Sequence, residues 1–177
     1  MTDPVWQQRG PWRILVAPGR DLPGFDETLR QLSFLIEKKS TPLVPPARHR
    51  VDRLELPCGG ETLDAVVKTY GLQPAWRDRL ALQNGTKAER AFRNALRLRA
   101  AGVGTPAPLA VVERWEGAAL RESRFVAAHV PGLTSFRDEL DRLYTRAPRC
   151  APLVDLLQNV ADAVRAFHDA GLLHRDL

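Results

Sequence analysis

The sequence predicts an α+β fold in which five strands, with one helix inserted among them, precede a group of helices. Two observations support this. Short apolar or alternating segments bounded by Gly and Pro indicate strands within the first 130 residues. Two longer segments repeat their apolar residues with the period of a helix, and the second of these follows the last strand.

The first 45 residues are expected to contain one strand and one helix. The apolar segment at residues 12–16 indicates the strand, and Asp26 is suited to be the N-cap of the helix. The Pro-rich segment at residues 41–46 should then interrupt regular structure. The apolar side of the expected helix consists of Leu29, Leu32, Leu35 and Ile36.

The next two strands are expected at residues 48–56 and 63–70. The residues between them include Gly59 and Gly60, which favour a hairpin turn. From residue 86 to residue 101 the pattern becomes helical, with the apolar residues on one side and Arg90, Arg93 and Arg97 on the other. The basic side suits an anionic glycolipid or a membrane surface, but a solvated helix face is the commoner explanation of such a pattern.

The remaining elements complete the predicted order. Strands are expected at residues 109–115 and 124–130, a polar helix at 135–144 and a long amphipathic helix at 152–170, ended by Gly171. The apolar side of the long helix consists of Leu153, Leu156, Leu157, Val160, Ala163, Val164 and Phe167.

Composition excludes several classes of protein. The chain has 177 residues, of which 44% are hydrophobic and 27% charged, so it is not a disordered protein. No apolar segment approaches the roughly 20 residues of a membrane-spanning helix, and the first residues lack the pattern of a secretory signal. Two cysteines, Cys58 and Cys150, are too few for a disulfide framework. These features favour a cytoplasmic protein.

The positive charge is concentrated in the middle of the chain. The net charge is +5, and residues 48–100 carry 11 basic and 6 acidic side chains. Such an excess indicates an anionic partner, which phosphates, an acidic glycolipid or nucleic acid would supply. A nucleic-acid-binding domain is the weakest of these interpretations, because the motifs described next account for the charge without it.

Three features occur in an order typical of the protein-kinase fold. Lys68 ends the apolar strand segment Val66-Val67-Lys68, a helix follows, and His174-Arg175-Asp176 comes directly after the long amphipathic helix. In kinases a strand lysine contacts the ATP phosphates, a helix supplies its carboxylate partner, and an aspartate of the catalytic loop receives the hydroxyl proton.

The sequence around these features resembles that of the Kdo/WaaP family of lipopolysaccharide core kinases. The similar passages are AERAFRNALRL at residues 88–98, AGVGTP at 101–106 and VADAVRAFHDAGLLHRD at 160–176. The resemblance extends over about residues 50–177, and RIO-type protein kinases share its general pattern. It implies an N-terminal extension (1–45), a kinase-like N-lobe (46–130) with a five-stranded antiparallel sheet and one inserted helix, and the start of a helical C-lobe (131–177).

The resemblance also implies roles for individual residues. Asp176 would accept or orient the proton of the attacking hydroxyl, with Arg175 and His174 in support, and Lys68 would contact ATP. The helix position that usually holds the partner glutamate is Ala91 in this chain. Glu89 is then either a substitute partner for Lys68 or an acidic residue favoured by the first turn of its helix.

The segment expected to cover the phosphates is irregular. No Gly-x-Gly-x-x-Gly precedes Val51, so a phosphate contact there would depend on Ser40, Thr41 or backbone amides. The magnesium ligands of a kinase would lie beyond Leu177, which predicts that the 177-residue chain is an N-terminal fragment without activity of its own. No metal ligands are expected within it.

The resemblance therefore implies an ATP- and Mg²⁺-dependent phosphotransferase acting on a sugar hydroxyl of the lipopolysaccharide inner core. Its partners would be ATP and the lipopolysaccharide core or another anionic glycolipid, with no nucleic acid. It would be cytoplasmic, with peripheral contact at the inner membrane. A nucleotide-binding pseudokinase or scaffold and a RIO-like protein kinase are the alternatives.

Overall fold

A computed structural model describes residues 4–43, 49–71, 83, 85–146 and 151–172. The described part contains seven strands and five helices. The strands are β1 (Trp6–Arg9), β2 (Trp12–Val16), β3 (Thr41–Pro42), β4 (His49–Cys58), β5 (Glu61–Tyr70), β6 (Pro108–Glu116) and β7 (Ala119–Ala128). The helices are α1 (Phe25–Arg30), α2 (Leu32–Lys39), α3 (Lys87–Ala100), α4 (Phe136–Arg146) and α5 (Ala151–Asp169).

The strands form one antiparallel sheet in the order β1-β2-β6-β7-β5-β4-β3. The predicted mixture of helices with an antiparallel sheet is confirmed, but the predicted number of five strands is wrong. The two additional strands, β1 and β3, are short and lie at the two edges of the sheet. Each of them is hydrogen-bonded to a single neighbouring strand. Neither has a hydrophobic pattern in its sequence, so the sequence did not predict them.

Each face of the sheet is covered by different helices. Phe25, Leu29 and Leu32 of α1 and α2 pack on Leu54, Val67 and other strand residues of one face. On the opposite face, Ala88 and Phe92 of α3 pack on Leu15 and Val111, with Tyr70 and Phe125 beside them. We call this second surface the α3 face. Residues 1–45 supply three of the strands and the two helices of the first face.

The predicted hairpin between β4 and β5 is present, and its turn has two residues. Cys58 pairs with Glu61, and Gly59 and Gly60 between them have φ angles of 57° and 88°. Both angles lie in the left-handed region that other residues rarely adopt, as a type I′ turn requires. The turn fixes the register that places Val51 opposite Lys68.

The helix predicted from Asp26 differs in its start and in its continuity. It begins at Phe25, and its N-cap is Gly24, whose φ of 76° allows the chain to enter the helix sharply. Asp26 is instead an acidic residue of the first turn. The helix is divided at Gln31 into α1 and α2, yet the predicted apolar residues Leu29, Leu32, Leu35 and Ile36 are all buried.

The chain divides into two compact units. The first comprises residues 1–96 and 106–129, and it contains the whole sheet. The second comprises residues 97–105 and 130–177, in which α4 contacts α5. Leu153 is buried on α5, whereas Leu157 of the predicted apolar side is 48% exposed. The Gly171 amide bonds to the carbonyl of His168, which ends α5 as predicted.

Candidate functional site

Lys68 lies on the α3 face of the sheet. It is opposite Val51 of β4 and Phe125 of β7, and its ammonium Nζ is 5.4 Å from the ring centre of Tyr70. Residues directly opposite each other in neighbouring strands point to the same face, so Lys68 and Phe125 share the surface on which α3 packs. The described residues include no carboxylate in an ion pair with Lys68. Its half-buried charge therefore has an aromatic neighbour and no anionic one.

Glu89 is occupied at the start of α3. Its backbone N–H donates to the hydroxyl of the N-cap Thr86 at 3.1 Å. Its carboxylate accepts from Arg93 Nε at 2.9 Å and from the Trp6 indole at 3.4 Å, and its side chain is only 14% exposed. The described structure thus gives Glu89 the contacts of a first-turn acid and brings it no contact with Lys68.

Ala91 and Glu89 lie at opposite edges of the buried side of α3. Residues two positions apart in a helix differ by about 200° around its axis. The buried residues Ala88 and Phe92 lie between the directions of Ala91 and Glu89. The contact of Glu89 with Trp6 shows that its edge faces β1, at one end of the sheet. The edge that carries Ala91 is turned away from β1, and the neighbouring Phe92 packs in a cluster that includes Tyr70 of β5 and Phe125 of β7.

Ser40, a candidate residue of the segment expected to cover the phosphates, is hydrogen-bonded to two other parts of the protein. Its hydroxyl is 2.7 Å from the carbonyl of Ile36 and 2.9 Å from the carboxylate of Asp52. Asp52 is fully buried and also accepts from Arg50 Nε at 2.7 Å. Ser40 thus connects the end of α2 to β4, whereas Thr41 is an exposed residue of β3.

A cavity of about 520 Å³ lies beside β3, β4 and β5 on the same face as Lys68. Its lining includes Leu43, Arg53, Thr62 and Asp64. Asp64 and Lys68 are four residues apart in one strand, so their side chains point to the same face.

The carboxylate of Asp64 is the centre of a charged group beside this cavity. It accepts two bonds from Arg53, from Nε at 2.9 Å and from Nη2 at 2.8 Å, and it lies 2.9 Å from His129 Nδ1. The hydrogen bond from Arg53 lowers the pKa of Asp64, and the hydrogen bond with His129 lowers it further. Sequence reasoning did not identify Asp64 or His129. The only feature of the sequence that could have indicated Asp64 is its position as an acidic residue within a predicted strand.

Glu113 is a second group that sequence reasoning missed. Its carboxyl is fully buried on β6, where Oε1 accepts from the Thr86 hydroxyl at 2.5 Å and Oε2 from the Trp115 indole at 2.8 Å. Burial raises the pKa of this carboxyl, while the bonds from Thr86 and Trp115 act in the opposite direction. A single acid within the apolar segment at residues 109–115 was its sequence signal.

Several predicted features lie outside the described residues. His174, Arg175 and Asp176 are among them, as is Cys150. Within the described ranges, no three His, Cys, Asp or Glu residues are grouped so that they could hold a metal ion. No described helix has both the length and the apolar character needed to cross a membrane.

Comparison with known proteins gives one match. Neither the curated proteins nor the solved structures contain a match to the chain. The model of the lipopolysaccharide kinase (Kdo/WaaP) family matches residues 72–177, which include α3 and the later elements together with His174, Arg175 and Asp176. Lys68 lies four positions before the matched range. Because the match extends over more than half of the sequence, the chain belongs to the lipopolysaccharide kinase (Kdo/WaaP) family.

Proposed function

We propose that the chain is part of an ATP-dependent phosphotransferase that phosphorylates a sugar hydroxyl of the lipopolysaccharide inner core. Membership of the family supports this activity. The observation that carries the proposal is the position of Lys68, a lysine without a described carboxylate partner on an inner strand of the sheet, facing the side on which α3 packs.

The surroundings of Lys68 suit the phosphates of ATP. β5 is hydrogen-bonded to a strand on each side, so the backbone at Lys68 is held in place. A lysine ammonium is a compact charge that binds phosphate well, and here no ion pair competes for it among the described side chains.

The nucleoside would lie along the same face, toward the cavity beside Asp64. The strand rise of roughly 3.3 Å per residue separates Lys68 from Asp64 by about 13 Å. The cavity offers an apolar contact from Leu43 and polar groups on Arg53 and Thr62. This arrangement would extend the nucleotide along β5, with its phosphates near the start of α3.

In the proposed reaction, the sugar hydroxyl oxygen attacks the γ-phosphorus while the bond to the ADP oxygen breaks. Asp176 accepts the hydroxyl proton, and Arg175 and His174 support its loop. Mg²⁺, when bound with ATP, neutralises charge on the phosphates. The basic side of α3, with Arg90, Arg93 and Arg97, would meet the anionic glycolipid at the cytoplasmic side of the inner membrane.

Nucleotide binding without phosphoryl transfer is the second candidate function. The observation that favours it is the edge of α3 turned away from β1, which carries Ala91 in place of a glutamate. Glu89, the nearest alternative, is bound to Arg93 and Trp6. The chain would then act as a nucleotide-dependent scaffold.

The test is titration calorimetry of the 177-residue chain with Mg·ATP. We expect the wild type to bind Mg·ATP and Lys68→Ala to bind it at least about tenfold more weakly. The exposed control Lys38→Ala should bind it as the wild type does. No binding by the wild type, or equal binding by Lys68→Ala, would exclude the proposed nucleotide site. Transfer of the γ-phosphate to lipopolysaccharide core, assayed with a longer chain that includes the magnesium ligands, separates the kinase from the scaffold.

A further inference from the structure

A buried carboxyl group lies beneath the first turn of α3. Glu113 is fully buried and points to the α3 face, directly opposite Arg13 of β2. The Arg13 guanidinium is 4.6 Å from the Trp6 ring centre and 6.0 Å from that of Trp115. A buried carboxyl group destabilises the fold unless its oxygens accept hydrogen bonds. Breaking the bonds from its partners would therefore cost free energy, which holds the partners in place.

One of these partners is the residue that begins α3. The Thr86 hydroxyl donates to Glu113 Oε1 at 2.5 Å and accepts from the backbone N–H of Glu89 at 3.1 Å. Thr86 is therefore at once the N-cap of the helix and its attachment to β6. With both bonds formed inside the protein, at 2% exposure, the start of α3 cannot shift without breaking one of them.

The helix held in this way forms one side of the surroundings of Lys68. Phe92, in the second turn of α3, contacts Phe125 with ring centres 6.4 Å apart at 81°, and it packs in the cluster that includes Tyr70. Lys68 lies opposite Phe125 and 5.4 Å from the Tyr70 ring. A displacement of α3 would move the aromatic side chains on either side of the lysine.

We propose that Glu113, acting through Thr86, is a positioning residue for the nucleotide site. It fixes the first turn of α3 on β6 and thereby holds Phe92, Phe125 and Tyr70 where they orient Lys68. This inference rests on the proposed nucleotide binding at Lys68. It assigns a function to a buried acid and a threonine that the proposed reaction does not use.

Substitutions at Thr86 separate positioning from helix stability. Thr86→Val keeps the shape but removes both bonds, while Thr86→Ser keeps both. Ser135→Ala is the matched control, because Ser135 caps α4 in the same way, accepting from the Asp138 amide at 3.1 Å. We expect Thr86→Val to weaken Mg·ATP binding at least about fivefold at a temperature where it is fully folded, with Thr86→Ser and Ser135→Ala within about twofold of the wild type.

A second measurement uses the wild-type chain alone and does not depend on the folding of a variant. The Trp115 indole N–H, bonded to Glu113, gives a signal in ¹⁵N-correlated spectra of the wild type that triple-resonance experiments assign. We expect this signal to shift on addition of Mg·ATP. An unmoved signal, or unchanged affinity in folded Thr86→Val, would overturn the inference while leaving nucleotide binding intact. A wild type that binds no nucleotide would instead overturn the proposed function, and this inference with it.

Discussion

Glu89 accepts a 2.9 Å hydrogen bond from Arg93, one turn further along α3. The pair is partly buried, with 14% of the Glu89 side chain exposed, and the Trp6 indole completes it. The carboxylate of Glu89 is thus held by Arg93 and Trp6 at one edge of the helix. The opposite edge, which carries Ala91, therefore lacks a carboxylate from α3, and two predictions follow from these positions.

Ala91→Glu should create an ion pair with Lys68. The new carboxylate would extend from the edge of α3 turned away from β1, and a partly exposed ion pair stabilises a protein by about 0.2–1 kcal/mol. A double-mutant cycle with Lys68→Met, measured by urea unfolding, should give a coupling free energy in that range. Asn94→Glu adds the same charge at an exposed position of α3 and should show no coupling. Zero coupling for Ala91→Glu would place Lys68 out of reach of this edge.

Glu89→Gln should destabilise the chain and leave nucleotide affinity within about twofold. The substitution removes a first-turn charge and an ion pair with Arg93, which together are worth about 1 kcal/mol. Thermal unfolding and Mg·ATP titration measure the two effects separately. A tenfold or greater loss of affinity with unchanged stability would instead assign Glu89 to Lys68.

Asp64→Asn should remove part of the acid sensitivity of the fold. The Arg53 hydrogen bond lowers the pKa of Asp64 below the usual value of an aspartate, with a smaller effect from His129. A carboxyl whose pKa is lower in the folded chain stabilises the fold above the pKa of the unfolded chain, and this contribution is lost as the pH falls through the folded-state pKa. The difference in melting temperature between wild type and Asp64→Asn should therefore be largest near pH 6 and shrink below pH 4.

The exposed carboxylate of Glu61 provides the comparison for this experiment. Glu61→Gln lies on the same strand but outside the group formed by Arg53, Asp64 and His129. A constant difference in melting temperature between wild type and Asp64→Asn from pH 6 to pH 3 would contradict the assigned role of the Arg53 bond.

Much of the fold was predictable because its elements carry local signals. The β4–β5 hairpin follows from Gly59 and Gly60, and α3 follows from its apolar period. β1 carries no such signal, because its sequence, WQQR, is neither alternating nor apolar. It is ordered by pairing with β2 and by the contact of Trp6 with Arg13, which only the folded chain brings together.

The position of Lys68 in a strand was predictable, whereas the contacts around it were not. The lysine was identified by its place at the end of an apolar segment. The partners of Asp64 depend on strand register, since Arg53 is 11 positions away and His129 is 65 positions away. The alternatives for Glu89 could not be separated by sequence, because its contact with Trp6 joins residues 83 positions apart.

The pairing of β2 with β6 also constrains when the protein can fold. Arg13 lies opposite Glu113, so an early strand must wait for one that the ribosome produces about 100 residues later. At a synthesis rate of roughly 5–20 residues per second, the wait is about 5–20 seconds. During that time the inner edge of β2 has open hydrogen-bonding groups, and such edges pair readily with other chains. The nascent chain therefore exposes this strand edge for longer than a protein of this size with mainly local contacts would.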